Sequence, residues 1–200
     1  MSVDQLESSI PGFIGQMTGK LMNQCTVAST AYVDHASDLS YVYHQTSRTS
    51  EETLKSMLAF EKCAASHGIN IKHYQADNGR FKDKLFSKSI EEKGLTISFC
   101  GVGAHHQNGI AEKRIGDLKG RATTLLLHAQ RRWPDAINTH LWTYDIRAAN
   151  DSKNMHQQTR MTHVQCQDSV TQQVCQQSRT NIILDILLMC LRRNFRITRR

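Results

Sequence analysis

Three acidic residues are spaced in a way that suits phosphoryl-transfer chemistry with divalent metal ions. Asp77 belongs to the turn sequence Asp77-Asn78-Gly79 at the end of a predicted strand, and Glu112 follows 35 residues later in the first turn of a predicted helix. Asp4, in the first predicted strand, is the candidate for a third acid. Hard cations such as Mg²⁺ take carboxylate oxygens as ligands, and a pair of such ions can activate a nucleophile and stabilise a leaving oxygen. Spacing alone leaves open that the three are unrelated surface acids.

The predicted elements place these acids at the boundaries of regular segments. Val, Tyr and Thr are frequent in residues 24–34 and 39–46, which predicts a hairpin of two strands preceded by a short strand that holds Asp4. Thr49 and Glu52 form a capping box that begins a helix. The remaining predicted elements are a strand over 69–76, a helix over 81–94, a strand over 95–100, a loop over 101–109, a helix over 110–131 and a helix over 136–149. The element order is therefore β-β-β-α-β-α-β-α-α, which indicates the α/β class.

The composition excludes a collagen-like, low-complexity or disordered chain. Of the 200 residues, 39% are hydrophobic, 22% are charged and two are proline. The net charge is +7, and it rises from −2 over residues 1–50 to +5 over residues 151–200. This gradient favours a polyanionic partner, with nucleic acid ahead of an anionic membrane surface. Six cysteines without paired C-x-x-C spacing predict free thiols rather than a disulfide framework.

No targeting or membrane segment is predicted. The N-terminal residues lack a basic region followed by an apolar run. The longest apolar run, residues 182–191, is about half of the ~20 residues that a membrane-spanning helix needs. We therefore expect an intracellular protein of the cytoplasm and nucleus.

Two segments resemble the catalytic core of Copia-type retrotransposon integrases. They are YQADNG at residues 74–79 and HQNGIAEKR at residues 106–114, and their spacing is similar to that of the family. The resemblance covers residues 2–152, so a core-like domain is expected over residues 1–152. It implies a ribonuclease H-like fold, with a five-stranded mixed sheet flanked by helices and a D, D, E triad. Residues 153–200, which are Gln-rich and then apolar and basic, resemble nothing in the family and are predicted to form a poorly ordered tail.

The resemblance also implies roles for individual acids. Asp4, Asp77 and Glu112 match the three acids of the family, which are catalytic and bind Mg²⁺ or Mn²⁺ in a two-metal site. Asp34 is the alternative for the first acid. Asp4 is favoured because the family's residue at the Asp34 position lies on the second strand, away from the point where the triad converges. Because only three residues precede Asp4, a shortened first strand is expected.

Three further residues are expected to contact DNA. Lys119 lies seven residues after Glu112 on the same helix face, and the family's matching position commonly lies along bound DNA ends. Asn108 and Gly109 suit a mobile loop edge that lets the backbone approach the substrate. Arg114 lies at another angle of the helix and is expected to contribute only general electrostatic attraction.

The function implied by the resemblance is DNA integration by a polynucleotidyl transferase. Such a core performs metal-dependent 3′-end processing and strand transfer of element DNA, with DNA as its partner and a homo-oligomer formed through the core. Residue 80 is Arg where the family often has Gly, and residues 153–200 depart from the family altogether. These departures favour an alternative, which is a decayed, catalytically inactive transposon fragment that binds nucleic acid non-specifically.

Overall fold

A computed structural model describes residues 1–14, 24–66, 68–101 and 108–164. Most of the predicted loop over 101–109 and the part of the predicted tail beyond residue 164 lie outside these ranges. No helix in the described part of the chain is long and apolar enough to cross a membrane.

Five strands form one mixed sheet in the order β3-β2-β1-β4-β5. β1 pairs with β2 and β2 with β3 in antiparallel fashion, whereas β1 pairs with β4 and β4 with β5 in parallel. Parallel neighbours need crossover connections, which the helices supply. The strand bounds are β1 Ser2–Gly12, β2 Thr26–Val33, β3 Ser40–Gln45, β4 His73–Ala76 and β5 Thr96–Phe99.

In the described part of the chain, four helices cover the two faces of this sheet. They are α1 Ser50–Ser66, α2 Lys84–Glu92, α3 Gly109–Arg132 and α4 Trp142–Val164, with short 3₁₀ turns at Arg80–Lys82 and Thr139–Leu141. α1 and α2 cover one face, where Met57, Phe60 and Phe86 pack against the sheet. α3 and α4 cover the other face, where Ile115 and Leu118 pack on Leu6 of β1 and Ile146 of α4. In α1 and α3 the buried positions recur at the helical period, as the sequence predicts.

The predicted element order is confirmed, but two strands differ in length. β1 was expected to be short and instead has eleven residues, because its pairing with β2 continues beyond Asp4 and Leu6 is buried against α3. β4 begins at His73 rather than at residue 69. Gly68 adopts a φ of 71°, and the Ile69 amide donates to the Ala64 carbonyl, so these residues still terminate α1.

The last helix differs from the prediction at both of its ends. The amides of Ala136 and Ile137 both donate to the Trp133 carbonyl, so this segment forms a turn, and α4 starts only at Trp142. α4 then continues to Val164 and crosses the predicted domain boundary at residue 152. Asn154 lies beyond that boundary, and its side-chain amide donates to the Ser40 carbonyl at 2.7 Å. Part of the predicted tail is therefore helical and bonded to the sheet.

Candidate catalytic site

Asp4 and Asp77 are neighbours because two strands are parallel and in register. Val3 of β1 pairs with Ala76, the last residue of β4, so the residue that follows each of them is one of the two acids. Strands in a sheet lie about 4.8 Å apart, and residues in register on parallel strands project from the same face. Leu6 shares the face of Asp4 and packs under α3, which identifies this face as the α3 side.

Glu112 reaches the same region because α3 begins beside β1. Glu112 lies in the first turn of α3 and is exposed. Asn108, which immediately precedes the helix, donates from its side-chain amide to the Val3 carbonyl at 3.1 Å. This hydrogen bond ties the start of the helix to the residue before Asp4, so the first turn of α3 is anchored at the paired acids.

The charges of Asp77 and Glu112 act on the Asp4 carboxyl. The pKa of Asp4 is raised, first by burial and then by the negative charges of Glu112 and Asp77, while the Lys119 ammonium acts in the opposite direction. The Gln5 amide donates to Asp4 Oδ1 and the Asn78 amide donates to Asp77 Oδ1, both at 2.7 Å. The sequence-predicted triad is thus brought into one neighbourhood, with one oxygen of each aspartate held by backbone.

The donor set of this neighbourhood fits a hard divalent cation. All three side chains are carboxylates, and the charged form of Asp4 is destabilised by the other two, which a cation would reverse. Within the four described ranges, no three His, Cys, Asp or Glu side chains are grouped tightly enough to hold a metal ion as they stand. The carboxylates would therefore have to draw together around a cation.

The alternative first acid, Asp34, has a different role in the structure. It follows β2, and its Oδ2 accepts hydrogen bonds from the Ser37 amide at 2.8 Å and the Ser37 hydroxyl at 2.7 Å. Burial alone would raise the pKa of Asp34, but these hydrogen bonds lower it below its usual value. Asp34 therefore stabilises the turn between β2 and β3, and it is not among the acids that raise the pKa of Asp4.

The residues expected to contact DNA differ in their accessibility. Lys119 is exposed and close enough to Asp4 to influence its pKa. Gly109 is half-buried, and a Cβ built at Gly109 would meet no atom within 4 Å. Asn108, by contrast, is 1% exposed, and its amide is bonded to Val3. The Asn108 side chain positions α3 on β1, and its contact with DNA stays a prediction.

The comparisons with known proteins concern structure rather than sequence. No protein-family model matches the sequence, and no curated protein matches it. A chain of the simian T-cell lymphotropic virus intasome is similar over 72% of this chain and 45% of its own length, with a TM-score of 0.50 and 19% identity. The catalytic core domain of BIV integrase is similar over 76% of this chain and 80% of its own, with a TM-score of 0.50 and 16% identity.

The fold is similar to that of retroviral integrase catalytic cores. The catalytic core domain of HTLV-2 integrase, solved in complex with magnesium, has a TM-score of 0.48 and 18% identity over 74% of this chain and 80% of its own. At these identities the likeness concerns the fold alone. The predicted class, an α/β ribonuclease H-like fold with a five-stranded mixed sheet and flanking helices, is confirmed.

Cys100 lies beside the candidate acids, and the sequence analysis missed it. It follows β5, its amide donates to the Ala76 carbonyl at 3.0 Å, and it is 2% exposed. Burial raises the pKa of the Cys100 thiol, and the charges of Asp77, Glu112 and Asp4 raise it further. The thiol therefore stays protonated beside the acids. The sequence analysis could have found Cys100, because it follows β5 as Asp77 follows β4, and parallel neighbouring strands end at the same edge of a sheet.

Arg114 is a second residue whose role only the tertiary structure reveals. It is 2% exposed, and its guanidinium donates to the Ser40 hydroxyl at 2.8 Å and to the Asp38 carbonyl at 2.7 Å. It also forms an ion pair with the Asp38 carboxylate. The expectation of general electrostatic attraction is therefore corrected. Arg114 fixes α3 to the turn between β2 and β3.

The carboxyl of Asp145, in the first turn of α4, is not among the groups that act on Asp4. Its Oδ2 is buried without a hydrogen-bond partner in the described part of the chain, and burial raises its pKa from 3.8 to about 6. Because the folded protein then holds this proton more tightly than the unfolded chain, the free energy of unfolding falls as the pH rises from about 4 to about 6.

Replacing Asp145 with Asn is expected to stabilise the protein in a pH-dependent way. Asn carries no charge, so Asp145→Asn should raise the Tm by about 2–4 °C at about pH 7.5. At about pH 4, where the native carboxyl is protonated, the gain should vanish. Thermal unfolding of both proteins at the two pH values measures the effect. An equal gain at both would contradict the assigned cause.

Proposed function

We propose that this chain is an integrase catalytic core that cuts and joins DNA ends through metal-dependent phosphoryl transfer. The observation that carries the proposal is the parallel register of β1 and β4, which sets Asp4 beside Asp77 where Glu112 contributes to the same electrostatic field. Three carboxylates from a central strand, the neighbouring strand end and a helix start form the donor set that such chemistry requires. The fold is consistent with this proposal.

The roles of the three acids follow from their positions. Asp4 lies on β1 and Asp77 directly follows β4, and each retains an oxygen that is not used by its backbone hydrogen bond. Glu112 lies on an exposed helix turn, and its charge acts on Asp4. Asp4, Asp77 and Glu112 would hold Mg²⁺ or Mn²⁺, which when bound activates a water or a DNA 3′-hydroxyl and stabilises the leaving oxygen.

The surface of α3 around Glu112 suits a DNA backbone. Lys113, Lys119 and Arg121 are exposed, and a Cβ built at Gly116 or Gly120 would meet no atom within 4 Å. Positive charge attracts phosphates, and glycines leave space for close approach. Lys119 is proposed to contact a phosphate next to the acids, and Gly109 to border the substrate at the start of the helix.

The finer assignments are also part of the proposal. We infer an origin in a Copia-type retrotransposon, 3′-end processing and strand transfer as the reactions, element ends and target DNA as the partners, and a homo-oligomer through the core. The match to the simian virus chain spans 45% of that chain, so assembly and DNA specificity are proposed for a core and not for a complete integrase.

The test is Mn²⁺-dependent disintegration of a branched DNA substrate, a reaction that a core can perform by itself. Wild type is expected to release the joined strand. Glu112→Gln preserves the shape and removes the charge, so it should reduce the rate by about 10³-fold or more. Denaturing gel electrophoresis of labelled product measures the rate, and circular dichroism confirms that both proteins are folded.

Glu51 provides the matched control. Like Glu112, it is an exposed glutamate in the first turn of a long helix, but it lies in α1. Glu51→Gln should keep the wild-type rate. If folded wild type shows no activity with Mn²⁺, or if Glu112→Gln is as active as wild type, the proposal is wrong. The first of these outcomes would support the alternative of an inactive transposon fragment.

A further inference from the structure

An open pocket lies beyond the end of β4, between the start of α1 and the start of α2. Its volume is about 550 Å³. The described residues that line it are all polar or glycine, namely Arg48, Ser50, Asn78, Gly79, Lys82 and Asp83. Such a wall offers little burial to hydrocarbon, so a charged or strongly polar ligand fits this pocket better than an apolar one.

The pocket adjoins the candidate acids at Gly79. A Cβ built at Gly79 would lie 3.5 Å from Asp77 Oδ2. This is the oxygen of Asp77 that the Asn78 amide does not use, since that amide donates to Oδ1. A DNA strand whose reacting phosphate lies at Asp77 can therefore place a neighbouring phosphate in the pocket.

Two cationic side chains of the wall suit a phosphate. Arg48 precedes α1 and Lys82 precedes α2, and both are exposed. A guanidinium can donate two parallel hydrogen bonds to a phosphate, and an ammonium adds a point charge. Arg48 is paired with Glu7 at 3.3 Å, but the two side chains are 43% and 45% exposed. Because such a surface pair is weak, Arg48 can exchange Glu7 for a phosphate.

The acidic residue of the wall has a structural role. Asp83 Oδ2 accepts a hydrogen bond from the Ser50 hydroxyl at 2.6 Å, and Asp83 Oδ1 accepts one from the Leu85 amide at 2.8 Å. These hydrogen bonds lower the pKa of Asp83 and hold the start of α2 against the start of α1. Asp83 therefore joins the two elements that carry Arg48 and Lys82, and the two cations outnumber its single negative charge.

We propose that this pocket binds a backbone phosphate of DNA through Arg48 and Lys82, next to the reacting phosphate at Asp77. The inference rests on the proposed function for the identity of its ligand. It adds a contact on the α1 and α2 side of the acids to the α3 surface around Glu112, so DNA is held on both sides of Asp77. Arg48 and Lys82 are positioning residues, because they hold a phosphate other than the reacting one.

The test measures DNA binding without metal, so that it does not depend on catalysis. The branched DNA of the disintegration assay carries a fluorescent label, and its anisotropy gives the Kd in chelator at several salt concentrations. Arg48→Ala combined with Lys82→Ala should weaken binding by about tenfold at about 0.1 M salt. The slope of log Kd against log salt concentration should also fall by about 1–2, because fewer counterions are released.

Lys62→Ala combined with Arg131→Ala is the matched control. It removes the same two kinds of charge from exposed positions of α1 and α3 outside the pocket. This control should change the Kd by less than about twofold, and circular dichroism confirms that both double variants are folded. An equal loss of affinity in the two double variants, or no loss in the pocket variant, would overturn the assignment.

Neutral phosphates locate the contact on the DNA. Methylphosphonate replaces, one at a time, the phosphates that flank the reacting one. At least one replacement should weaken binding by wild type and have no effect on the pocket variant, whereas additive losses at every position would contradict the inference.

The two proposals fail separately. Pocket-dependent binding by a wild type that lacks disintegration activity would contradict the integrase proposal alone. Disintegration by a wild type whose DNA binding does not depend on Arg48 and Lys82 would contradict the pocket alone.

Discussion

Asp77→Asn is expected to abolish disintegration activity while leaving the fold intact. The substitution keeps an oxygen that can accept the Asn78 amide hydrogen bond. It removes the negative charge of residue 77, which acts on the neighbouring Asp4. Without that charge the site binds divalent cations poorly, and the rate should fall by about 10³-fold or more. The pKa of Asp4 should move down toward its ordinary value, because Asp77 is one of the charges that raise it.

Although Asp77→Asn should abolish activity, it is not expected to lower stability. In metal-free protein it removes a repulsion between like charges, so the Tm should stay constant or rise by about 1–3 °C. In wild type, Mn²⁺ should raise the Tm, because a ligand that binds only the folded state stabilises it. This metal-dependent gain should be lost in Asp77→Asn. Thermal unfolding with Mn²⁺ and with chelator measures both effects.

Asp34→Asn is the informative control for Asp77→Asn. Asp34 was the alternative first acid in the sequence, and the structure assigns it to the turn through Ser37. Asp34→Asn should therefore lose some stability and retain its activity and its Mn²⁺-dependent gain in Tm. Loss of activity in a folded Asp34→Asn protein would move the first acid from Asp4 to Asp34.

Arg114→Ala is expected to be the most destabilising of the substitutions considered. It removes a buried guanidinium with two hydrogen bonds to Ser40 and Asp38 and an ion pair to Asp38. The substitution loses charge-assisted hydrogen bonds and creates a cavity. Together these effects should lower the free energy of unfolding by about 2–4 kcal/mol and the Tm by about 5–15 °C. Urea denaturation followed by circular dichroism measures this change.

Two controls separate packing from charge at this position. Arg121→Ala removes the same side chain from the exposed face of the same helix and should change stability by less than about 0.5 kcal/mol. Arg114→Lys should not restore wild-type stability, because an ammonium cannot reproduce the planar fork that reaches the Ser40 hydroxyl and the Asp38 carbonyl together. Equal stability of Arg114→Ala and wild type would show that α3 is held by its apolar contacts alone.

The order of elements was determined by local sequence patterns. The capping box at Thr49, the turn sequence after Asp77 and the helical spacing of Ile115, Leu118 and Ala122 each depend on residues a few positions apart. Such patterns predict which face of a helix is apolar and where a strand ends, because backbone hydrogen bonding and side-chain direction repeat at fixed periods. For the same reason Asp77 and Glu112 could be placed at element boundaries in advance.

The positions that the sequence analysis missed depend on contacts between distant parts of the chain. Asn108 bonds to Val3 across 105 residues, and Arg114 bonds to Ser40 across 74. Whether such a side chain faces DNA or another strand is set by the packing of α3 on the sheet, which no local spacing encodes. The extension of β1 beyond Asp4 has the same origin, since its pairing with β2 and the burial of Leu6 under α3 supply the stabilisation.

The sequence by itself determined the α/β class, the element order and the identity of two strong candidate acids. Only the tertiary structure decided that Asp4 rather than Asp34 adjoins Asp77 and that Cys100 is buried beside them. It also decided that Asp145 Oδ2 is buried without a hydrogen-bond partner among the described residues. The physical reason is that charge and burial act through space. A carboxylate's pKa and its neighbours are fixed by the strand register and helix packing that bring remote residues together.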